Sequence, residues 1–343
     1  MKALTVLLTA SGAPGTAALA RALRENGERE VRIVGTDMAE LSIGKHVADG
    51  FHLTPPGTDP AFAEALAAIC EREGVDAVIP QSSYELLALA EAKQRFGETA
   101  VLVASPDAVR RSNDKAESYA LLDEIGVRGP KWRRVRGGDA IAAAARDLGY
   151  PDVDVAFKPL VSSGSRGFRV MSASADRRTQ LFENRPGVAE ALRLEELVEL
   201  VGDDDTEVLV MELATGAERT IDGIARDGRL LLAHPKTREE MRAGLAMYFQ
   251  TLDDPELMGV AARIAAELSL DHFFNIQLVG GAVIEINPRI STIVYQEDLN
   301  LPYLGVKRAL GEISEDELAS LAARVRPTRR ALRYFDQVEW DSA

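Results

Sequence analysis

Apolar residues in the first hundred positions come in short runs separated by stretches of helical spacing. Leu4–Leu8 is one such run, ending in a Gly/Pro loop at residues 11–15, and residues 16–25 then place Leu19 and Leu23 four apart before Asn26 and Gly27. That reads as strand, loop, helix and C-cap. The alternation continues with strands at 31–35, Ala77–Ile79 and 100–104 and helices at 60–73 and 84–95. Strands that alternate with helices are joined by crossovers, so the pattern predicts a parallel sheet in a small α/β, Rossmann-like domain over residues 1–105.

The rhythm changes further along. A new section opens at Ser105-Pro106, with a helix expected from Asn113-Asp114, and from Val155 onward strands crowd together at 155–158, 168–171, 207–213, 220–226, 230–234, 275–279 and Ala282–Asn287. Gly/Ser or Asp-Gly turns separate several of these runs, which predicts antiparallel hairpins. An α/β unit followed by an α+β region suits a cleft between two sheets better than a single doubly wound sheet. Residues 315–324 carry an amphipathic helix ahead of an acidic end.

Composition narrows the function. The chain has 343 residues, 46% of them hydrophobic, which is enough for two or three packed units. Every apolar stretch is interrupted well short of the ~20 residues a membrane span needs, and the start reads as a first strand rather than a signal peptide. A cytoplasmic protein without a membrane partner is expected. The single cysteine, Cys70, excludes internal disulfides and thiolate metal sites. A net charge of -14 repels polyanions, which argues against nucleic acid as a partner. The acidic triplet Asp203–Asp205 lacks calcium-loop spacing and reads as a solvated turn.

Two segments carry candidate chemistry. In the first, Lys158 ends a strand and is followed by Ser162, Ser163, Gly164, Ser165, Arg166 and Gly167 before the next strand. A Gly/Ser loop offers backbone N–H groups to phosphate oxygens without a Cβ in the way, and Lys158 supplies a positive charge. The lysine precedes the glycines, so this is not a Walker loop. In the second segment, Glu285 and Asn287 stand two apart on a strand and point the same way, with Gln277 across a hairpin. Together they make an oxygen-rich site that suits Mg²⁺ when phosphates complete the shell. A condition attaches: Gln277 and Glu285 share a face only if the hairpin loop has an odd residue count or a bulge, and a tight turn at Gly280-Gly281 alone separates them.

Taken in order, these segments resemble the ATP-grasp superfamily, and within it the carbamoyl-phosphate-synthetase-like branch that includes amino-acid ligases. The ordered matches are Asn113-Asp-Lys115 before a Leu-rich helix, Lys158 with its loop, Val210-Met-Glu212-Leu-Ala-Thr-Gly216-Ala-Glu218, and Glu285-Ile-Asn287-Pro-Arg289, spanning roughly residues 1 to 315. The resemblance implies a Rossmann-like parallel sheet followed by two α+β subdomains that clamp ATP. The ATP-grasp domain would cover 106–315, with a nucleotide-binding small subdomain at about 120–213, and 316–343 would be a carboxy-terminal helix and tail.

Position by position, it implies that Lys115 and Lys158 hold the α- and β-phosphates and that Ser163, Gly164 and Ser165 form the mobile loop over the β- and γ-phosphates. Glu212 and Leu213 would meet adenine, Glu218 the ribose, and Gln277, Glu285 and Asn287 the metal, Mg²⁺ with Mn²⁺ as an alternative. Arg289 would stabilise the transferring phosphoryl group. Lys236 and Arg242 would lie near the triphosphate and second substrate. One departure matters: after Ser291 the chain continues Thr292, Ile293, Val294, Tyr295 rather than reaching a second Arg, which favours an organic carboxylate over bicarbonate.

The expected activity is therefore a carbon–nitrogen ligase that joins a carboxylate to an amine through an acyl phosphate, with ATP and amino-acid-like small molecules as partners and a homodimer as the candidate assembly. Loops at 11–15, 81–84 and 292–298 are the candidate substrate walls, with Glu297 or Asp298 suited to an ammonium. Two other classes compete. An NAD(P)-dependent oxidoreductase would use the amino-terminal domain with Asp37 on a ribose, although Gly12 and Gly15 fall short of the dinucleotide fingerprint. A non-catalytic ATP-binding protein would have little need to keep Lys158, Glu285, Asn287 and Arg289 together.

Overall fold

In the computed structural model, residues 1–160, 167–183, 191–242, 245–291, 298–334 and 336–340 are described. Strands β1 (Leu4–Leu8), β2 (Val31–Asp37), β3 (Gly50–Leu53), β4 (Ala77–Ile79) and β5 (Ala100–Val101) form a parallel sheet in the order β3-β2-β1-β4-β5. Helices α1 (Thr16–Arg24), α2 (Gly44–Val47), α3 (Phe62–Glu73) and α4 (Leu86–Glu91) run between successive strands. Leu4, Val6 and Leu8 pack with Leu19 and Leu23 of α1, while Leu7 packs on the other face with Phe62 and Leu66 of α3. Both faces are covered, so these strands read as apolar runs rather than alternations. Strand order reverses between β1 and β4. The loops that leave their carboxyl ends, around residues 9–15 and 80–85, therefore flank the crevice where ligands settle in open α/β sheets.

Ser105 caps α5 (Pro106–Asn113), and Asp114 caps α6 (Lys115–Glu124) by accepting from the amides of Ala116 and Glu117. A second sheet follows, built from β6 (Trp132–Arg136), β7 (Val155–Pro159), β8 (Arg169–Met171), β9 (Ala191–Leu192) and β10 (Glu207–Glu212) in the order β6-β10-β7-β8-β9. Helices α7 (Gly138–Asp147), α8 (Arg177–Glu183) and α9 (Leu194–Val201) belong to this part of the chain. Ile141, Ala145 and Leu197 from α7 and α9 fill a separate core against Val155, Met171, Val208 and Val210.

The chain then runs through β11 (Glu218–Arg226), β12 (Arg229–Thr237), β13 (Glu239–Arg242), β14 (Leu245–Gln250), α10 (Pro255–Glu267), β15 (His272–Val279), β16 (Ala282–Asn287), α11 (Leu301–Ala309), α12 (Glu315–Ser320) and β17 (Arg330–Leu332). Four strands form an antiparallel sheet in the order β12-β11-β15-β16, and β13, β14 and β17 form a smaller one. The period of two divides the larger sheet cleanly. Ile221, Phe274, Ile276 and Leu278 share a core with Ala261 and Ile264 of α10, whereas Thr220, Asp222, Asn275 and Gln277 have the opposite parity.

The expected helix–strand alternation and the hairpins are present. Strand β3, half-exposed over its first three residues, was not anticipated, nor was β6, whose Trp-Arg-Arg-Val-Arg sequence shows no apolar run. Among the described residues no helix is long and apolar enough to cross a membrane.

Candidate active site

The polar face of the larger antiparallel sheet is laid out by register alone. One row runs Lys236, Thr220, Gln277, Glu285 across β12, β11, β15 and β16, and the next runs His234, Asp222, Asn275, Asn287. Gln277 and Glu285 stand directly opposite each other although the hairpin turns tightly at Gly280-Gly281, because the register shifts between Gln277 and Leu278, leaving Ile284 as the extra residue. The bulge meets the condition set by the sequence. It also frees the Ile284 carbonyl, which accepts from the Tyr119 hydroxyl at 2.9 Å and from Lys158 Nζ at 3.5 Å.

Lys158 is buried at the end of β7 and donates to Tyr119 Oη at 2.8 Å. Burial, then the neighbouring charge of Lys115, pulls its ammonium down to about 7, with Glu285 opposing. Lys115, the first residue of α6, is also buried and lowered chiefly by desolvation, and its Nζ lies 3.5 Å from the Leu160 carbonyl. Two partly desolvated ammonium groups beside one carboxylate make a site short of negative charge, which a polyphosphate supplies.

A cavity of about 450 Å³ opens between the second sheet and this polar face. Its walls include Lys115, Lys158, Glu212, Leu213, Glu218, Gln277, Glu285 and Arg289, so eight expected site residues meet in one cleft, and Ala156, Phe168 and Met211 give it an apolar end. The volume is within the range of small-molecule sites. Glu212 closes β10, where its carboxylate accepts from the Lys131 amide at 3.3 Å and its own amide donates to the Lys131 carbonyl at 2.8 Å. Asn287 is buried beside the cavity and accepts from Arg289 Nη2 at 3.4 Å. Arg289 also donates from Nε to Ser83 Oγ at 3.2 Å. Burial lowers its pKa, with Glu285, Glu85 and Asp222 opposing.

Two expected residues are placed elsewhere. Lys236 is fully buried beneath the cleft in an ion pair with Asp222, and Arg242 is exposed on β13, outside the cavity walls. The reasons differ: Lys236 has the parity of the polar face but is drawn down to Asp222, whereas Arg242 stands on β13, past the end of β12. Arg238, which the sequence reading passed over, lines the cleft instead. Its Nη1 donates to Gln277 Oε1 at 2.5 Å and stands 3.5 Å from Glu218. The period-two count from Lys236 held the signal. Ser163, Gly164 and Ser165 lie outside the described residues, as does most of the 292–298 loop, including Glu297. Asp298, at its end, accepts from the Arg326 amide at 3.1 Å.

Two residues in the amino-terminal crevice were also missed or misjudged. Glu85 is buried where the loops after β1 and β4 meet, accepting from the Thr9 hydroxyl and from the amides of Gln81 and Ser82. Asp37 accepts from the amides of Gly12 at 2.6 Å and Ala39 at 3.0 Å, so the carboxylate a dinucleotide ribose would need is spent on tying its own loop. That counts against the oxidoreductase reading.

Comparison with known proteins agrees with this geometry. Residues 204–331 match the family model described as ATP-grasp in the biosynthetic pathway with Ter operon, and residues 6–104 match the PylC-like, N-terminal domain. The arginine-specific carbamoyl phosphate synthase large chain of Bacillus subtilis is 25% identical over 283 residues, covering 77% of this chain and 25% of that one. The chain thus spans about a quarter of the length of the curated relatives it matches. Among solved structures, carboxyaminoimidazole ribonucleotide synthase from Aspergillus clavatus complexed with ATP superposes with a TM-score of 0.66 at 16% identity, over 92% of this chain and 79% of that one. The L-amino acid ligase from Bacillus licheniformis gives 0.63 at 14% identity, over 95% and 78%. Residues 204–331 are thus similar to an ATP-grasp domain and residues 6–104 to a PylC-like amino-terminal domain, and the fold is that of the superposed structures.

Proposed function

We propose that the chain is an ATP-dependent carboxylate–amine ligase, acting on small, amino-acid-like substrates in the cytoplasm. The observation that carries this reading is the bulge at Ile284, which puts Gln277 opposite Glu285 on the face that also carries Asn287, with Gln277 and Glu285 in the same cleft as the buried ammonium groups of Lys115 and Lys158. On this reading residues 1–105 form the amino-terminal domain, 106–315 the ATP-grasp domain with its small subdomain at about 120–213, and 316–343 a carboxy-terminal helix and tail. A homodimer remains the candidate assembly, and neither nucleic acid nor membrane is a partner.

In the reaction, a substrate carboxylate oxygen attacks the γ-phosphorus of ATP and the bond to the β,γ-bridging oxygen breaks, giving an acyl phosphate and ADP. An amine nitrogen then attacks the acyl carbon, phosphate leaves with the C–O bonding pair, and the amine loses a proton. Lys115 and Lys158 hold the phosphates, with Ser163, Gly164 and Ser165 as the loop above them. Leu213 and the end of β10 take the adenine, and Glu218 the ribose once Arg238 gives it up. Arg289 offsets charge on the transferring oxygens. One carboxylate with two amide oxygens fits Mg²⁺, or Mn²⁺, only if phosphate oxygens complete the shell, and the cation would neutralise the triphosphate there. Aligning both reactants in a cleft that excludes water is worth ~7–11 kcal/mol of barrier.

The test is a coupled assay for ADP and phosphate, with MgATP and a panel of small carboxylic acids and amino acids given singly and in pairs. ADP release that requires both a carboxylate and an amine, and that falls by roughly 100-fold or more in Glu285→Ala, is the expected result. Mg²⁺-dependent ATP binding without turnover for any pair would refute the ligase assignment and leave a nucleotide-binding protein.

A further inference from the structure

Asn275 has no place in the reading above, yet it lines the same cavity and is hydrogen-bonded to four side chains around it. It is buried in the middle of β15, opposite Asp222 on one side and Asn287 on the other. Its Nδ2 donates to Thr220 Oγ1 at 2.6 Å and to Asp222 Oδ1 at 2.9 Å. A carboxylate only accepts, and Asp222 is held as one by its ion pair with Lys236, so the nitrogen of Asn275 has to face it. The amide orientation is fixed by chemistry, and its Oδ1 points the other way.

That oxygen accepts from Gln277 Nε2 at 3.1 Å and from Asn287 Nδ2 at 3.4 Å. Each neighbour thereby commits its nitrogen to Asn275 and turns its oxygen outward. Gln277 Oε1 meets Arg238 Nη1 at 2.5 Å and Asn287 Oδ1 meets Arg289 Nη2 at 3.4 Å, so both outward oxygens already face cationic groups. Orientation passes along a chain from Lys236 through Asp222 and Asn275 to the two amides that flank Glu285.

We propose that Asn275 is the positioning residue that locks the amides of Gln277 and Asn287 with their carbonyl oxygens toward a bound divalent cation. This rests on the reading of Gln277, Glu285 and Asn287 as the cation site. An amide whose nitrogen loses its acceptor can rotate and present N–H to the metal, which repels it. Loss of such a supporting contact typically weakens metal affinity by ~10–100-fold.

The experiment measures binding of a non-hydrolysable ATP analogue to the full chain by calorimetry, first in EDTA and then across a Mg²⁺ titration. Asn275→Leu should raise the Mg²⁺ concentration that half-saturates the affinity gain by roughly 10–100-fold, with metal-free affinity within about 2-fold of wild type. Asn275→Asp keeps the accepting oxygen and should retain the Mg²⁺ response, at the cost of a lower melting temperature from the carboxylate of Asp222 beside it. Gln277→Glu in the Asn275→Leu background should restore the response, since a carboxylate has no wrong face. If Asn275→Leu does not fold, Asn275→Ser, whose hydroxyl is too short to reach both amides, carries the same expectation.

A wild-type Mg²⁺ response in Asn275→Leu, an equal loss with and without metal, or failure of the Gln277→Glu rescue would each overturn the positioning role while leaving the cation site standing. A wild-type protein whose nucleotide affinity ignores Mg²⁺ would overturn both.

Discussion

Lys158 shows how much of this site's chemistry is set by one desolvated charge. Its ammonium is pulled down to about 7 by burial and by Lys115, so between about 7 and the ordinary lysine value the folded chain holds fewer protons than the unfolded one. The sign follows: this group's contribution to stability grows with rising pH across that window and is lost as pH falls toward 7. A bound triphosphate reverses the balance, because it rewards the charged form. Nucleotide binding at about pH 8 should therefore take up close to one proton at Lys158, and at about pH 6, where the lysine is already charged, close to none. Calorimetry in two buffers of different ionisation enthalpy reads this directly. The Lys158→Met variant, measured alongside, removes the nucleotide's own protonation from the comparison. It should lose the uptake at pH 8 and bind roughly 10–100-fold more weakly, as expected for a lost charge-assisted hydrogen bond. Equal proton uptake in both proteins would place the titrating group elsewhere.

At the scale of elements, the β15–β16 hairpin holds the site together, and its turn is the most constrained part. Gly280 and Gly281 have φ of 54° and 84°, the twist that a tight two-residue hairpin demands. A Cβ on Gly280 would also sit 2.1 Å from the Thr215 carbonyl oxygen, in the loop that joins β10 to β11 and carries Leu213 toward Glu218. Gly280→Ala is expected to cost about 2–3 kcal/mol in urea unfolding, since a rigid backbone atom has to move in addition to the left-handed strain. Gly311→Ala is the control: its φ is 71° with open space around the added carbon, and it should cost only about 1 kcal/mol. Equal losses would mean that the close approach to Thr215 is without consequence. The hairpin also marks what the sequence could reveal. The Glu285–Asn287 pair and its glycine turn were readable because they are local. The bulge that makes Gln277 their neighbour was readable only as a condition, since a register shift leaves no mark on composition. Lys236, Arg238 and Arg242 were equally basic in sequence, and only their partners in the folded chain separate them: Lys236 pairs with Asp222, while Arg238, just past the end of β12, reaches Gln277 and Glu218 in the cleft. Asn275 looked like one more residue of a buried strand, because its two donors and two acceptances come from three different strands.

Across the whole molecule, the parallel sheet is tied to the rest by polar groups far apart in sequence. Glu28 accepts from Lys307 Nζ and the Tyr303 hydroxyl, while Ser83 accepts from Arg289 through its hydroxyl and from Asn113 Nδ2 through its carbonyl. Glu85 lies at this second joint, and the switch between β1 and β4 explains why a carboxylate is trapped there: both loops turn back at the same crevice and close over it. Burial raises its pKa to about 6, outweighing the hydrogen bonds from Thr9, Ser82 and Gln81 and the charge of Arg289. For an acid shifted upward, the contribution to stability is complete below the ordinary carboxylate value near 4.5 and is lost as pH rises through about 6. The shift corresponds to about 2 kcal/mol. Replacing the group with a neutral amide of the same shape, Glu85→Gln, should remove that penalty. Urea midpoints at about pH 5 and about pH 7.5 should then show the variant gaining about 1 kcal/mol on the wild type as pH rises, the rest of the penalty being already present at pH 5. A constant difference between the two proteins would mean that Arg289 and the loop amides fully stabilise the charge. In that case the joint between the parallel sheet and the cleft would be indifferent to pH, and the charge of Glu85 would help to place Arg289 alongside its hydrogen bond to Ser83.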